Sequence, residues 1–218
     1  MSSSDPVFDA RFQTRLLHPR YWLSWLALGA IGVLAFVPPR WRDRLADALT
    51  PLVCAISKKQ IYIARTNLAI CFKEKSEAER EAILMTSIRV GLKSLLGFGE
   101  FTWRSPAHVM GRIQVSGWEH IEAEQAAGRP VILVVPHSWP VDAAGYYFTR
   151  RGVPMCTMMK RARNPVFDWH LNRARARNGC RVYERSAGIK AVIRTIKGGR
   201  SFFYLPDQDH GREASIFV

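Results

Sequence analysis

The sequence predicts an α/β fold: a mixed sheet covered by helices, preceded by an N-terminal membrane helix and a helical segment. Three observations carry this. From about residue 110 onward, short apolar runs rich in β-branched and aromatic residues alternate with helical patterns. Residues 38–104 show helical periodicity instead. Ahead of both, Tyr21–Val37 carries no charge at all. The expected divisions are an N-terminal segment over 1–20, an anchor over 21–37, a membrane-proximal helical region over 38–104 and an α/β core over 105–218.

The uncharged run YWLSWLALGAIGVLAFV would span roughly 25 Å as a helix at about 1.5 Å per residue, slightly short of a ~30 Å hydrocarbon core. Tyr21, Trp22 and Trp25 suit a headgroup interface. Arg20 precedes the run, while Arg40, Arg42 and Arg44 follow it, so the positive-inside rule puts the bulk of the chain in the cytoplasm. Pro38 and Pro39 are expected to end the helix. A buried core helix and a secretory signal peptide are the competing readings, and a dip into one leaflet competes with a full crossing.

Residues 41–72 read as helical, with interruptions near Pro51 and Ser57. Ser76 and Glu79 form a capping box that opens a helix running to about Phe98. Beyond Arg104 the expected order is a strand at 113–117, the run VILVV at 131–135 as a strand buried on both faces, and a helix at 140–151. Then come a strand at 154–159, a helix at 165–178, a strand at 180–183, a helix at 187–198 and a strand at 201–205.

Composition narrows the function classes. With 48% hydrophobic residues the chain is not disordered, and a formal charge of +14 calls for an anionic partner: nucleic acid, an acidic membrane surface, or an acidic protein or substrate. No helix-turn-helix, RRM or KH signature supports nucleic acid. Cys54, Cys71, Cys156 and Cys180 lie far apart, which argues against structural zinc and for reduced thiols.

The chemistry concentrates at strand ends, where ligand sites of open α/β sheets gather. VILVV runs into Pro136-His137-Ser138-Trp139-Pro140-Val141-Asp142. On one continuous helix, His137 and Asp142 would be rotated roughly 140° apart. With His137 in the turn and Asp142 in the opening turn of the next helix, the chain can fold back and join them. An imidazole with a carboxylate on one nitrogen has a fixed tautomer and a second nitrogen free to accept a proton, which makes His137 a general base and Asp142 its partner. The bland alternative is a helix cap with an acid at the positive helix end.

A second polar cluster, Pro206-Asp207-Gln208-Asp209-His210-Gly211, follows the run SFFYL, which suggests that the two strand ends share a site. Asp207 and Asp209 are read as holding arginines or acceptor hydroxyls. Metal ligation by Asp207, Asp209 and His210, with His137, is the alternative and would make a metal-dependent hydrolase. Arg163, Asn164, Arg175 and Arg177 lie between the clusters as candidate substrate contacts, since arginine forks bind phosphates in bidentate fashion. Neither a metal nor a cofactor is expected. A non-catalytic protein of anionic membrane surfaces is the remaining alternative.

These motifs together resemble the late acyltransferases of lipid A synthesis in Gram-negative bacteria, within the lysophospholipid acyltransferase-like superfamily. The resemblance covers nearly the whole chain: His18-Pro-Arg-Tyr-Trp22, Arg65-Thr-Asn-Leu-Ala-Ile-Cys-Phe72, Ser76-Glu-Ala-Glu-Arg80, VPHSWPVD at 135–142, Asn164-Pro-Val-Phe-Asp168, Tyr204-Leu-Pro-Asp-Gln-Asp-His-Gly211 and Ser215-Ile-Phe-Val218. It implies that His137 deprotonates an acceptor hydroxyl while Asp142 orients it. The implied donor is a fatty acyl thioester on acyl carrier protein. The implied acceptor is a phosphorylated, Kdo-bearing lipid A precursor at the cytoplasmic face of the inner membrane. The wording PDQDHG and the Asp ending the His-x4-acid box look most like the branch that adds myristate to the lauroylated precursor. Members of this family continue past the block ending at Val218, so the chain is expected to be shortened at its C-terminus.

Overall fold

The computed structural model describes residues 7–207, which form two compact units. One is Gly29–Arg104; the other joins the residues up to Leu28 to those from Ser105 on.

Helix α1 is Trp22–Leu34. Its 13 residues span about 20 Å, less than the Tyr21–Val37 run was expected to give. The chain leaves the helix in turns at Ala35–Val37, and Pro39 opens the next helix instead of merely ending this one, because proline suits a first helical turn.

The helical unit continues with α2 (Pro39–Ile56), α3 (Lys58–Cys71), α4 (Glu77–Gly97) and α5 (Glu100–Trp103). Pro51 was expected to interrupt α2, but the helix runs through it and breaks at Ser57. The Ser76–Glu79 capping box is present in full. Arg42 of α2 and Glu100 of α5 form a buried ion pair. Arg65 holds Glu81 in a two-bond fork, with Nε and Nη2 at 2.9 and 2.7 Å. Where the chain turns from α4 into α5, a side chain on Gly99 would collide with the Ile31 carbonyl oxygen, so only hydrogen fits. Val33, Phe36, Trp41, Leu52, Ile56 and Ile70 are each more than half exposed, an apolar coat rather than a core. Among the described helices, the stretch long and apolar enough to cross a membrane is Glu77–Trp103, not Tyr21–Val37.

The α/β unit begins with α6 (Pro106–Met110) and α7 (Trp118–Ala126). The expected strand at 113–117 is not formed; the segment is a loop that ends at Gly117, whose φ of 75° sets up α7. There follow β1 (Ile132–Val134), α8 (Val141–Arg150), β2 (Met155–Met159), α9 (Pro165–Arg177), β3 (Arg181–Glu184), α10 (Ile189–Lys197) and β4 (Ser201–Tyr204). The strands stand in the order β1-β4-β2-β3 and every pairing is parallel. The sheet is therefore parallel among the described residues, not mixed. Each strand is joined to the next by a helix, which returns the chain to the same end of the sheet. Among the described residues, the one antiparallel contact is the isolated bridge Val7–Tyr183.

Alternation along the strands divides the core. Met155, Val182 and Phe203 face α7 and α8, packing with Trp118, Val141 and Phe148. Cys156, Tyr183 and Phe202 face Ala191 and Val192 of α10. β1 departs from expectation. Ile132 and Val134 are 58% and 67% exposed, so the strand is buried on one face only. It lies at the sheet edge and α10 covers β2 and β4 instead. A further cluster places Leu16 and Leu28 against Val166, with Trp25 and Trp169 beside them.

Candidate active site

β1 and β4 are adjacent and parallel, with Ile132 opposite Phe202 and Val134 opposite Tyr204. The register continues past both strands. The Val135 N–H donates to the Tyr204 carbonyl at 2.9 Å, and Val135 and Leu205 both pack on the core. Next come Pro136 and Pro206, then His137 and Asp207. A residue before proline is held extended, so both chains leave the sheet along the strand direction. The consequence is a double contact. The His137 backbone N–H donates to Asp207 Oδ2 at 2.7 Å, and His137 Nδ1 lies 2.5 Å from Asp207 Oδ1. The two side chains are 39% and 40% exposed, so the pair is open to a ligand. The hydrogen bonds from His137 hold the Asp207 carboxyl below its ordinary range, and it stays ionised well into mild acid.

The turn is tight on the histidine side. The Ser138 N–H donates to the Pro136 carbonyl at 2.7 Å, which makes His137 the central residue of a three-residue turn. The Val141 N–H then donates to the Ser138 carbonyl and α8 begins, with Asp142 in its first turn.

Asp142 does not supply the carboxylate found on the imidazole. Its Oδ1 accepts from Arg175 Nε at 2.8 Å and Nη2 at 2.7 Å, and both side chains are about three-quarters buried. The expected pairing of His137 with Asp142 is thus replaced by two pairs, His137–Asp207 and Asp142–Arg175. The reason is topological: the strand register delivers Asp207 to the imidazole, while α8 carries Asp142 toward α9.

The candidate substrate contacts divide. Arg175 is committed to Asp142, and its Nη1 also reaches Met159 Sδ and Asn172 Oδ1. Asn164 caps α9, its Oδ1 accepting from the Val166 and Phe167 N–H groups while its Nδ2 donates to Ser24 Oγ at 2.7 Å. Arg163 is exposed just ahead of α9 and Arg177 is exposed at its far end. About 20 Å of helix separates these two, too far to grip one phosphate. Asp209 and His210 lie outside the described residues. Sequence reasoning named Asp207 but missed its bond to His137; the available signal was the repeated pattern of apolar strand, proline and ionisable residue.

The carboxyl edge of the sheet is otherwise cationic. Lys160 follows β2 and Arg185 follows β3, both exposed, and Arg161 pairs with Glu184 at 2.9 Å. Burial pushes the Cys156 thiol up to about 11 and the Cys180 thiol up to about 12, so neither is a ready nucleophile. The arrangement offers a hydrogen-bonded imidazole, an anion-attracting rim and no activated thiol. It suits proton removal from a hydroxyl brought by a ligand.

Comparison with known proteins identifies the family. The model of the bacterial lipid A biosynthesis acyltransferases matches residues 9–218. A lipid A biosynthesis acyltransferase of Haemophilus influenzae is 38% identical over 211 residues, covering 97% of this chain and 66% of the relative. The lipid A biosynthesis myristoyltransferase of Escherichia coli is 38% identical over 213 residues, covering 98% and 65%. The lauroyltransferase of the same organism is 32% identical over 209 residues, covering 95% and 67%. The chain thus spans about two thirds of the length of these relatives. With a family match over almost its full length, a histidine at the end of a parallel strand and the VPHSWPVD box around it, the chain belongs to the bacterial lipid A biosynthesis acyltransferase family.

Proposed function

We propose that this protein transfers a fatty acyl group, myristoyl by its resemblance, from acyl carrier protein to a hydroxyl of a Kdo-bearing, lauroylated lipid A precursor. The observation that carries the reading is His137, whose Nδ1 is engaged by a carboxylate while the ring remains exposed at the carboxyl edge of the sheet. Its Nε2 takes the proton of the acceptor hydroxyl. The oxygen attacks the thioester carbonyl, the new C–O ester bond forms, the C–S bond breaks, and the departing thiolate takes from His137 the proton that the hydroxyl gave up. Asp142, clamped by Arg175, fixes the opening turn of α8 behind the histidine. The acceptor phosphates meet the rim that holds Lys160, Arg163 and Arg185.

The greater identity to the myristoyltransferase than to the lauroyltransferase supports the choice of acyl group. Attachment to the cytoplasmic face of the bacterial inner membrane is part of the same reading. It is supported by the uncharged run Tyr21–Val37, by the apolar coat of the helical unit and by Arg44, whose guanidinium lies 4.7 Å from the Trp41 ring centroid in the manner of interfacial pairs.

The test is transfer of a labelled acyl group from acyl carrier protein to the lipid precursor by purified protein in detergent. His137→Ala is expected to reduce turnover by about 10²–10⁴-fold, the range of a lost general base, with an unchanged melting temperature. Turnover at the unsubstituted rate in that variant ends the proposal.

A further inference from the structure

We propose that Asp207, and not the acid of the His-x4-Asp box, is the positioning residue for His137, fixing the ring as its Nδ1–H tautomer and leaving Nε2 to accept the proton. The inference rests on the acyl-transfer reading for its consequence and on geometry for its substance.

The geometry has three parts. The carboxylate receives two contacts from one residue, the ring nitrogen at 2.5 Å and the backbone N–H at 2.7 Å. An ionised carboxylate can only accept, so the Nδ1 facing it carries the proton. Because the second oxygen is tied to the backbone of the same histidine, turning the ring away breaks a bond that turning the carboxylate cannot restore. Second, the pairing is built into the sheet. Val134 stands opposite Tyr204, and the steps to His137 and Asp207 run through Val135 and Leu205, then Pro136 and Pro206, in step. The two prolines keep both exits extended, so the strand register sets the placement of Asp207. Third, the alternative acid is already committed. Asp142 Oδ1 takes two guanidinium hydrogens from Arg175, whose fork holds it to α9.

Asp207 therefore acts through His137 and does not itself touch the acceptor. Its loss is expected to change the chemical step more than substrate binding. Replacing it with asparagine keeps the shape but puts an amide hydrogen-bond donor where either the ring N–H or the backbone N–H needs an acceptor. Either one contact fails or the ring gives up its Nδ1 proton for the Nε2–H form, in which Nδ1 accepts from the amide.

The experiment uses the full chain in detergent micelles with ¹⁵N-labelled histidine. The tautomer of His137 is read from its ring nitrogen shifts, assigned by their loss in His137→Ala. In the unsubstituted protein the Nδ1–H form is expected. Asp207→Asn and Asp207→Ala are expected to shift the ring toward the Nε2–H form and to lower kcat by about 10²–10⁴-fold, with KM for both substrates within about twofold. Asp142→Asn is expected to leave the tautomer in place. A tautomer unmoved in both Asp207 variants, or one moved by Asp142→Asn instead, overturns the assignment. If the tautomer responds as expected but the unsubstituted protein transfers no acyl group, the pairing stands and the acyl-transfer reading falls.

Discussion

At the scale of single residues, the two ion pairs near the end of β1 differ in kind. His137–Asp207 is open and hydrogen-bonded to a backbone N–H, whereas Asp142–Arg175 is mostly buried and joins two helices. The first can exchange a proton with a ligand. The second anchors the turn that carries the first. Asp142→Ala should therefore act on stability as well as rate: loss of hydrogen bonds to a charged group costs about 1.5–3 kcal/mol, visible as a lowered denaturation midpoint. A variant as stable as the parent would mean that Arg175 finds another acceptor. The Asp207 carboxyl, held below its ordinary range, is fully ionised at neutral pH. Its pairing is lost only as pH falls through that depressed value, so a decline in activity at mildly acidic pH must come from another group.

At the scale of elements, hydrophobic pattern located most strands and helices of the α/β unit to within two residues, because apolar runs of four or five flanked by glycine, proline or charge have few alternatives. The pattern did not reveal pairing. β1 and β4 are adjacent in space although seventy positions separate Ile132 from Phe202, and no local feature of VILVV points to SFFY. Nor did it show that β1 is an edge strand: VILVV reads the same whether one face or two is covered, and only the position of α10 decides. In the active site the residue types were legible and their partners were not, since His137–Asp142 is near in sequence while His137–Asp207 is near only through the sheet. In the helical unit, the buried Arg42–Glu100 pair has no sequence signature either. Removing one partner leaves a buried charge, so Glu100→Ala is expected to cost about 3–5 kcal/mol in a denaturant melt. A loss below about 1 kcal/mol would mean that water reaches Arg42 in the folded state.

At the scale of the whole molecule, a net charge of +14 and an apolar coat on one of the two units make a consistent physical demand for an anionic, apolar surface. Binding to vesicles containing phosphatidylglycerol should exceed binding to purely zwitterionic vesicles. It should weaken as salt rises from 0.05 to about 0.5 M, where the screening length falls to a few ångströms. Cosedimentation that ignores both lipid charge and salt would assign the attachment to apolar insertion alone. The strand order also has a consequence for the order of synthesis. β4 is translated last among the four strands yet lies between β1 and β2. The native gap between β1 and β2, one strand wide, has nothing to fill it while roughly forty residues emerge from the ribosome, a matter of seconds at usual elongation speeds. Until that gap closes, His137 has no acid opposite it, and a nascent chain halted before Ser201 carries the histidine without its proton-orienting partner.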